Sequence, residues 1–107
     1  MNLLFICSMN KWRSPTAERV FRQVEAVSVR SAGTSRKARR QITIQDIRWA
    51  NVICVMESKH LSRLRGDFRS ELIHKETHVL DIPDEYQFMD PELVELLRVS
   101  VMPIIDR

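Results

Sequence analysis

Two cysteines in 107 residues are too few for a disulfide framework, so the chain is expected to fold reduced, as a cytoplasmic protein. Long apolar runs are missing as well. The run after Asn2, Leu3-Leu4-Phe5-Ile6, is shorter than a signal-peptide core, and nothing approaches the length that spans a bilayer, so no membrane partner is expected. Repeats and low-complexity tracts are absent. Metal-ligand clusters are scarce: His74 and His78 have a zinc-like spacing, but Thr77 to Leu80 reads as strand and no third ligand is near. Neither a metal nor any other cofactor is therefore expected. What remains is a chain long enough for one domain, 1–107, and with 44% hydrophobic residues it can build a core.

Acidic residues are few where basic ones are many. Between Lys11 and Arg48 stand ten Lys or Arg and three Asp or Glu, whereas Glu76 to Arg107 holds eight acids and two arginines. This asymmetry, more than the net charge of +3, points to an anionic ligand near the N-terminal half. The densest piece is Arg36-Lys37-Ala38-Arg39-Arg40. It reads either as a solvated loop or as a collar that draws a phosphorylated polymer, nucleic acid included, toward a pocket.

The pocket itself is expected from one stretch, Cys7-Ser8-Met9-Asn10-Lys11-Trp12-Arg13-Ser14-Pro15. The apolar run before it suits a buried parallel strand. After it, Ala17, Val20, Phe21 and Val24 recur at helical spacing, and Ser14 before Pro15 is a helix start signal. A loop between a strand end and a helix N-terminus presents backbone N–H groups and a helix dipole to an anion. Cys7 at its head is a candidate nucleophile, which attacks as the thiolate. Arg13 at its end offers a planar fork for two phosphoryl oxygens, and with the loop amides it stabilises charge that spreads in a phosphoryl-transfer transition state.

Cys7-x5-Arg13-Ser14-Pro15, with Asn10 inside it, resembles the phosphate-binding loop of the low-molecular-weight protein tyrosine phosphatase superfamily. The resemblance extends through Ser31-Ala32-Gly33-Thr34, Trp49 to Ile53 and Val55 to Ser58. It ends at Asp81-Ile82-Pro83-Asp84-Glu85-Tyr86, which is similar to that family's acid loop. It implies a phosphatase that needs no cofactor and passes through a phosphocysteine. Cys7 would be the nucleophile, Arg13 the clamp and Asp84 the acid. Ser8, Met9, Asn10, Lys11, Trp12, Arg13 and Ser14 would bind the phosphate. Ser14 would stabilise the thiolate, Asn10 and Ser31 would fix the loop, and Tyr86 would support the site. Met9 stands where the family has glycine, Trp12 where a second cysteine is usual, and Lys37 where a histidine helps hold the loop asparagine. Ser8 and Lys11 replace apolar residues that flank an aromatic ring.

The remaining elements follow in order. Leu3 to Cys7 reads as a strand, Pro15 to Glu25 as a helix, Val27 to Ser31 as a half-exposed strand ended by Gly33. Ile44 to Ala50 reads as a short helix and Asn51 to Met56 as a buried strand. Ser58 is expected to cap a helix with Leu61, Leu64 and Phe68 on one face, ended or frayed by Gly66. His78 to Ile82 reads as a fourth strand. Asp90-Pro91 opens a last helix with a buried stripe of Leu93, Val94, Leu97 and Val101, stopped by Pro103. Alternation of this kind predicts an α/β fold of three layers: a four-stranded parallel sheet in the order 2-1-3-4 with helices on both faces. Its switch point lies at the end of the first strand, where Cys7 sits, and Asp84 returns to the same edge. Asp81 is expected to finish its strand, Asp90 to cap, Cys54 to be core, and His60 to be a surface residue; Trp12 and Trp49 either pack or flank the pocket.

The residues leave three alternatives to a phosphomonoesterase. One is a non-catalytic module for phosphate, a phospho-ligand or an RNA end. The others are a phosphocysteine carrier, which has no need of Arg13 or Asp84, and an arsenate reductase, which needs a second usable thiol.

Overall fold

In the computed structural model, which describes residues 1–107, the first strand is the centre of everything else. β1 (Asn2–Cys7) pairs in parallel with β2 (Ser28–Gly33) on one side and β3 (Val52–Val55) on the other; β3 then takes β4 (Glu76–Val79). The order is β2-β1-β3-β4, as the alternation of elements predicts. The helices α1 (Arg13–Phe21), α2 (Ile44–Trp49), α3 (Ser58–Leu72) and α4 (Pro91–Ile105) complete the three layers. None is long and apolar enough to cross a membrane.

The period of two along β1 sorts the core into two halves. Leu3, Phe5 and Cys7 face α1 and α4, meeting Ala17, Phe21, Leu93, Leu97 and Val101. Leu4 and Ile6 face α2 and α3, meeting Ile47, Leu61 and Leu64. Phe5 and Phe21 stack with ring centroids 5.6 Å apart. Truncating a wholly buried leucine such as Leu97 to alanine should cost about 2–5 kcal/mol.

Several boundaries differ from the sequence reading, each for a local reason. α1 starts at Arg13 with Trp12 before it, and no side chain caps its first turn. Ser14 is thus a first-turn residue rather than the cap, and its hydroxyl turns to Cys7 instead. The helix also stops at Phe21, although Val24 still packs on the core. β2 runs on to Gly33 because that residue pairs with Cys7. In α3 the cap is Glu57, not Ser58; Gly66 lies within the helix, and the only break in its geometry is Phe68, at φ −137° and ψ 39°. β4 begins and ends earlier than expected because its register against Val52–Val55 fixes it to Glu76–Val79. Asp81, read as strand, instead takes φ 55° in the loop that follows. Pro103 sits inside α4 without stopping it. Its ring deprives only the carbonyl of Val99, on a face 66% exposed where water can serve instead. Asp90 caps α4 as expected, accepting from the Glu92 N–H at 2.9 Å.

Candidate active site

The loop from Cys7 to Arg13 is shaped by a strap, residues 33–40, that engages its carbonyls one after another. Thr34 N–H donates to the Cys7 carbonyl (3.0 Å), Ser35 N–H to Ser8 (3.0 Å) and Arg39 N–H to Met9 (2.9 Å), while Arg39 Nε–H donates to Asn10 (3.1 Å). With four consecutive carbonyls satisfied on that side, the amides are the loop groups left to meet an anion. The approach is so close that only glycine fits at position 33. A Cβ there would lie 2.4 Å from the Ser8 carbonyl oxygen.

A second network fixes the sulfur. Glu18, a carboxylate, only accepts, and Ser31 Oγ donates to its Oε1 at 2.5 Å. Ser31 Oγ therefore accepts from Asn10 Nδ2 (2.9 Å), whose other hydrogen goes to Ser14 Oγ (2.9 Å). The Ser14 hydroxyl hydrogen then has two acceptors in reach, Cys7 Sγ at 2.9 Å and the Ala32 carbonyl at 3.4 Å, and a thiolate at Cys7, nearer and charged, draws it. The directions from Asn10 through Ser31 to Glu18 follow from the one group in that run that has no proton to give. Asn10 adopts φ 54° to reach this position, and its Oδ1 is buried without a partner. Glu18 was absent from the sequence reading; its place one helical turn beyond Ser14 was the available signal.

Arg13 is 2% exposed, and its Nη1 is used for structure: it donates to Glu57 Oε1 at 2.5 Å and to the Ile82 carbonyl at 2.8 Å. The Nε/Nη2 edge, the geometry that grips two oxygens at once, remains for a phosphoryl group. Asp84 Oδ1 lies 3.7 Å from Nε, within reach of an oxygen held there. The hydrogen bond from Arg13 holds the Glu57 carboxyl below its ordinary range.

His60 corrects the sequence reading most sharply. Far from lying on the surface, it is 1% exposed. Its Nδ1 accepts from the Glu57 N–H (3.0 Å), which makes Nε2 the protonated nitrogen and the donor to Ser8 Oγ at 2.9 Å. Burial, reinforced by the nearby Arg13 charge, pushes its pKa down to about 4, so the ring is neutral around pH 7. The Glu57-x-x-His60 spacing at a helix start was the cue, because a box of reciprocal bonds forms across those four residues.

These groups enclose a cavity of about 220 Å³ lined by Cys7, Ser8, Met9, Lys11, Trp12, Arg13 and Asp84. Lys11 Nζ stands 4.7 Å over the Trp12 ring at its rim. Tyr86, expected to support the site, does not line it; it packs against the core beside α4 with its hydroxyl 3.5 Å from Glu92. Lys37, which stands where the family has a histidine, makes no bond to the loop, and Arg39 holds the Asn10 carbonyl. The basic stretch is divided: Arg39 serves the loop and Arg40 pairs with buried Asp46, while Arg36 and Lys37 are exposed. Burial would raise the Asp46 pKa, but hydrogen bonds from Arg40 and Thr43 outweigh it and hold the carboxyl low. Trp49 stacks under Arg30 rather than flanking the pocket.

Other candidates lie apart from the pocket. Cys54 is buried in β3, where desolvation pushes its thiol up to about 12. His78 bonds Glu76 at 2.6 Å, and no group of three potential metal-ligating side chains is assembled. A larger hollow of about 590 Å³ along α3 is lined by Leu61, Arg65 and Arg69 among others, and holds neither a cysteine nor a carboxylate.

A family model described as low molecular weight phosphotyrosine protein phosphatase matches residues 2–44, the stretch that contains the loop, Ser31 and the strap. Solved structures extend the likeness over the whole chain. Wzb of Vibrio vulnificus, solved in complex with benzylphosphonate, superposes with a TM-score of 0.79 over 98% of this chain and 97% of its own, at 22% identity. This is the low-molecular-weight phosphotyrosine phosphatase fold. SP-PTP of Streptococcus pyogenes, itself a low molecular weight protein tyrosine phosphatase, gives 0.78 at 21% identity, covering 99% of this chain and 91% of its own. The YwlE arginine phosphatase of Geobacillus stearothermophilus gives 0.71 at 23% identity, covering 98% and 88%. No curated protein sequence matches. The sequence resemblance to that phosphatase superfamily thus holds both in the loop region and in the architecture around it.

Proposed function

We propose that the chain is a cysteine-dependent phosphomonoesterase acting through a phosphocysteine. The observation that carries this reading is the convergence of Cys7 Sγ, the free edge of Arg13 and the Asp84 carboxyl on one small cavity. In the first step the Cys7 thiolate attacks phosphorus as the bond to the ester oxygen breaks, and Asp84 gives its proton to that oxygen. In the second, water attacks phosphorus, Asp84 takes the proton, and the sulfur leaves as thiolate with release of orthophosphate. Ser14, donating to Sγ, stabilises the thiolate that attacks in the first step and leaves in the second, and Arg13 with the loop amides holds the three equatorial oxygens. Ser8, Met9, Lys11 and Trp12 form the wall that the rest of the substrate meets. The Nε2–H of His60 occupies one lone pair of Ser8 Oγ, which leaves the Ser8 hydroxyl hydrogen to donate to a substrate oxygen.

The test is steady-state turnover of a generic aryl phosphate by purified protein, with vanadate as inhibitor. The expected result is vanadate-sensitive hydrolysis that Cys7→Ser abolishes while phosphate still binds. Undiminished turnover by Cys7→Ser would refute the assignment of the nucleophile.

A further inference from the structure

A second hollow, of about 260 Å³, adjoins the candidate active site and shares Lys11 with it. Its lining is Lys11, Pro15, Glu18, Arg19, Arg22, Arg39 and Phe88: four cations against one carboxylate. Pro15, Arg19 and Arg22 follow one another along a single stripe of α1, and Lys11 and Arg39 close the end nearest the loop. The carboxylate does little to neutralise them. Glu18 Oε1 is engaged by Ser31, and Oε2 stands 3.7 Å from Arg22, leaving Arg19 without an acidic partner. Phe88, 47% exposed, supplies an apolar wall. It belongs to the same loop as Asp84, and that loop is fastened to α1 where Met89 N–H donates to Thr16 Oγ1 at 2.9 Å.

We propose that this groove binds carboxylates flanking the phosphorylated residue of an acidic phosphopeptide, so that the substrate class is a phosphoprotein with acidic residues on one side of the target. The proposal rests on the phosphatase reading of the adjoining pocket. Guanidinium forks grip carboxylates in two-point fashion, and three of them lie in a hollow large enough for one or two side chains. The one-sidedness of the charge favours a peptide over a nucleic acid. On leaving the groove a continuous polyanion would cross the pocket toward Asp84, whose loop also carries exposed Asp81 and Glu85. A peptide can carry acids on one flank and none on the other.

Two phosphotyrosyl peptides that differ only in glutamates or glutamines on one flank test this, beside an aryl phosphate and a 5′-phosphorylated oligonucleotide. The acidic peptide should show kcat/KM about tenfold above the neutral one at low ionic strength, the lower end of electrostatic enhancement, with the advantage fading as salt screens it. Arg19→Glu, at an exposed position, should bring the ratio of the two peptides to one or below. The same comparison by fluorescence anisotropy with Cys7→Ser protein reads binding without turnover. Equal kcat/KM and equal binding for the two peptides would overturn the groove assignment while leaving the phosphatase reading intact. Tighter binding of the oligonucleotide than of the acidic peptide would overturn it as well. Loss of aryl phosphate turnover alone would instead count against the phosphatase reading, with the anisotropy ratio still deciding the groove.

Discussion

Adding one methyl group at Gly33 should damage catalysis although it lies outside the pocket lining. The Cβ of Gly33→Ala would come 2.4 Å from the Ser8 carbonyl oxygen, 2.6 Å from Ala38 Cβ and 2.9 Å from the Asn10 N. Ordinary contact begins near 3.4 Å, so the loop must retreat by about 1 Å. Neither Ser8 nor Asn10 can yield alone, since the strap holds the carbonyls of both. Overpacking of this kind costs about 1–3 kcal/mol. In a domain of this size that lowers Tm by about 5–15 °C. A reacting group misplaced by about 1 Å costs on the order of 10²-fold in rate. The measurements are calorimetric Tm and kcat with an aryl phosphate. The control is Gly66→Ala, where a Cβ meets nothing within 4 Å on an exposed helical face. There alanine should stabilise by about 0.5–1 kcal/mol, the ordinary helix preference, and leave kcat alone. Gly33→Ala with wild-type kcat and a Tm within a degree would show that the strap does not set the loop's position.

Asp84→Asn should lower turnover by about 10²–10⁴, less for substrates with good leaving groups, whereas Asp90→Asn should stay near wild type because asparagine caps almost as well. A crippled Asp90→Asn that keeps its Tm, beside a normal Asp84→Asn, would reassign the acid. His60 makes stability depend on pH in a defined window. The unfolded chain binds its proton near 6.5 and the folded one only near 4, so the unfolded state holds more protons between these values. Stability is then fully present above about 6.5 and is lost on acidification, by about 2 kcal/mol between pH 7 and pH 5. Urea unfolding at the two pH values should show that loss in wild type and not in His60→Gln; identical slopes would disprove the linkage. Cys7 has no thiol beside it, since Trp12 fills the neighbouring place and Cys54 is buried in β3. Peroxide should carry it up the oxidation ladder, with poor recovery in dithiothreitol. Full recovery with a Cys7–Cys54 disulfide by mass spectrometry would contradict this.

Strand order was legible because it follows from the alternation of apolar runs and helical periods, and Cys7 and Arg13 were legible because they stand at the facing ends of two elements joined by five residues. The contacts that hold them come from farther off and leave no local mark. Glu57 reaches Arg13 across 44 positions, and nothing in Val55 to Ser58 announces an ion pair. His60 looked exposed because a histidine near a helix start usually is, and only the box with Glu57 turns it inward. Arg39 meets Asn10 because the strap's path, rather than charge density, decides which cation of the basic stretch reaches the loop. β4 was misplaced by the apolar Val79, Leu80 and Ile82, which attracted the strand assignment away from the half-buried Glu76 and Thr77. Tyr86 was assigned by likeness alone, and its packing on α4 takes it elsewhere.

Asn10 has a consequence for how this sequence can change. It holds a left-handed backbone that asparagine tolerates and glycine prefers, and it keeps a carbonyl oxygen buried with nothing to bond. Asn10→Gly would relieve both penalties but forfeit the two buried hydrogen bonds that Nδ2 gives to Ser14 and Ser31, so for persistence of the fold the gains and losses offset. Selection for the hydrogen bond that Asn10 passes to Ser14, and Ser14 to the sulfur, has no such offset. The residue therefore marks where endurance and competence diverge. A library sorted for heat resistance should tolerate glycine at position 10, and one sorted for turnover should purge it.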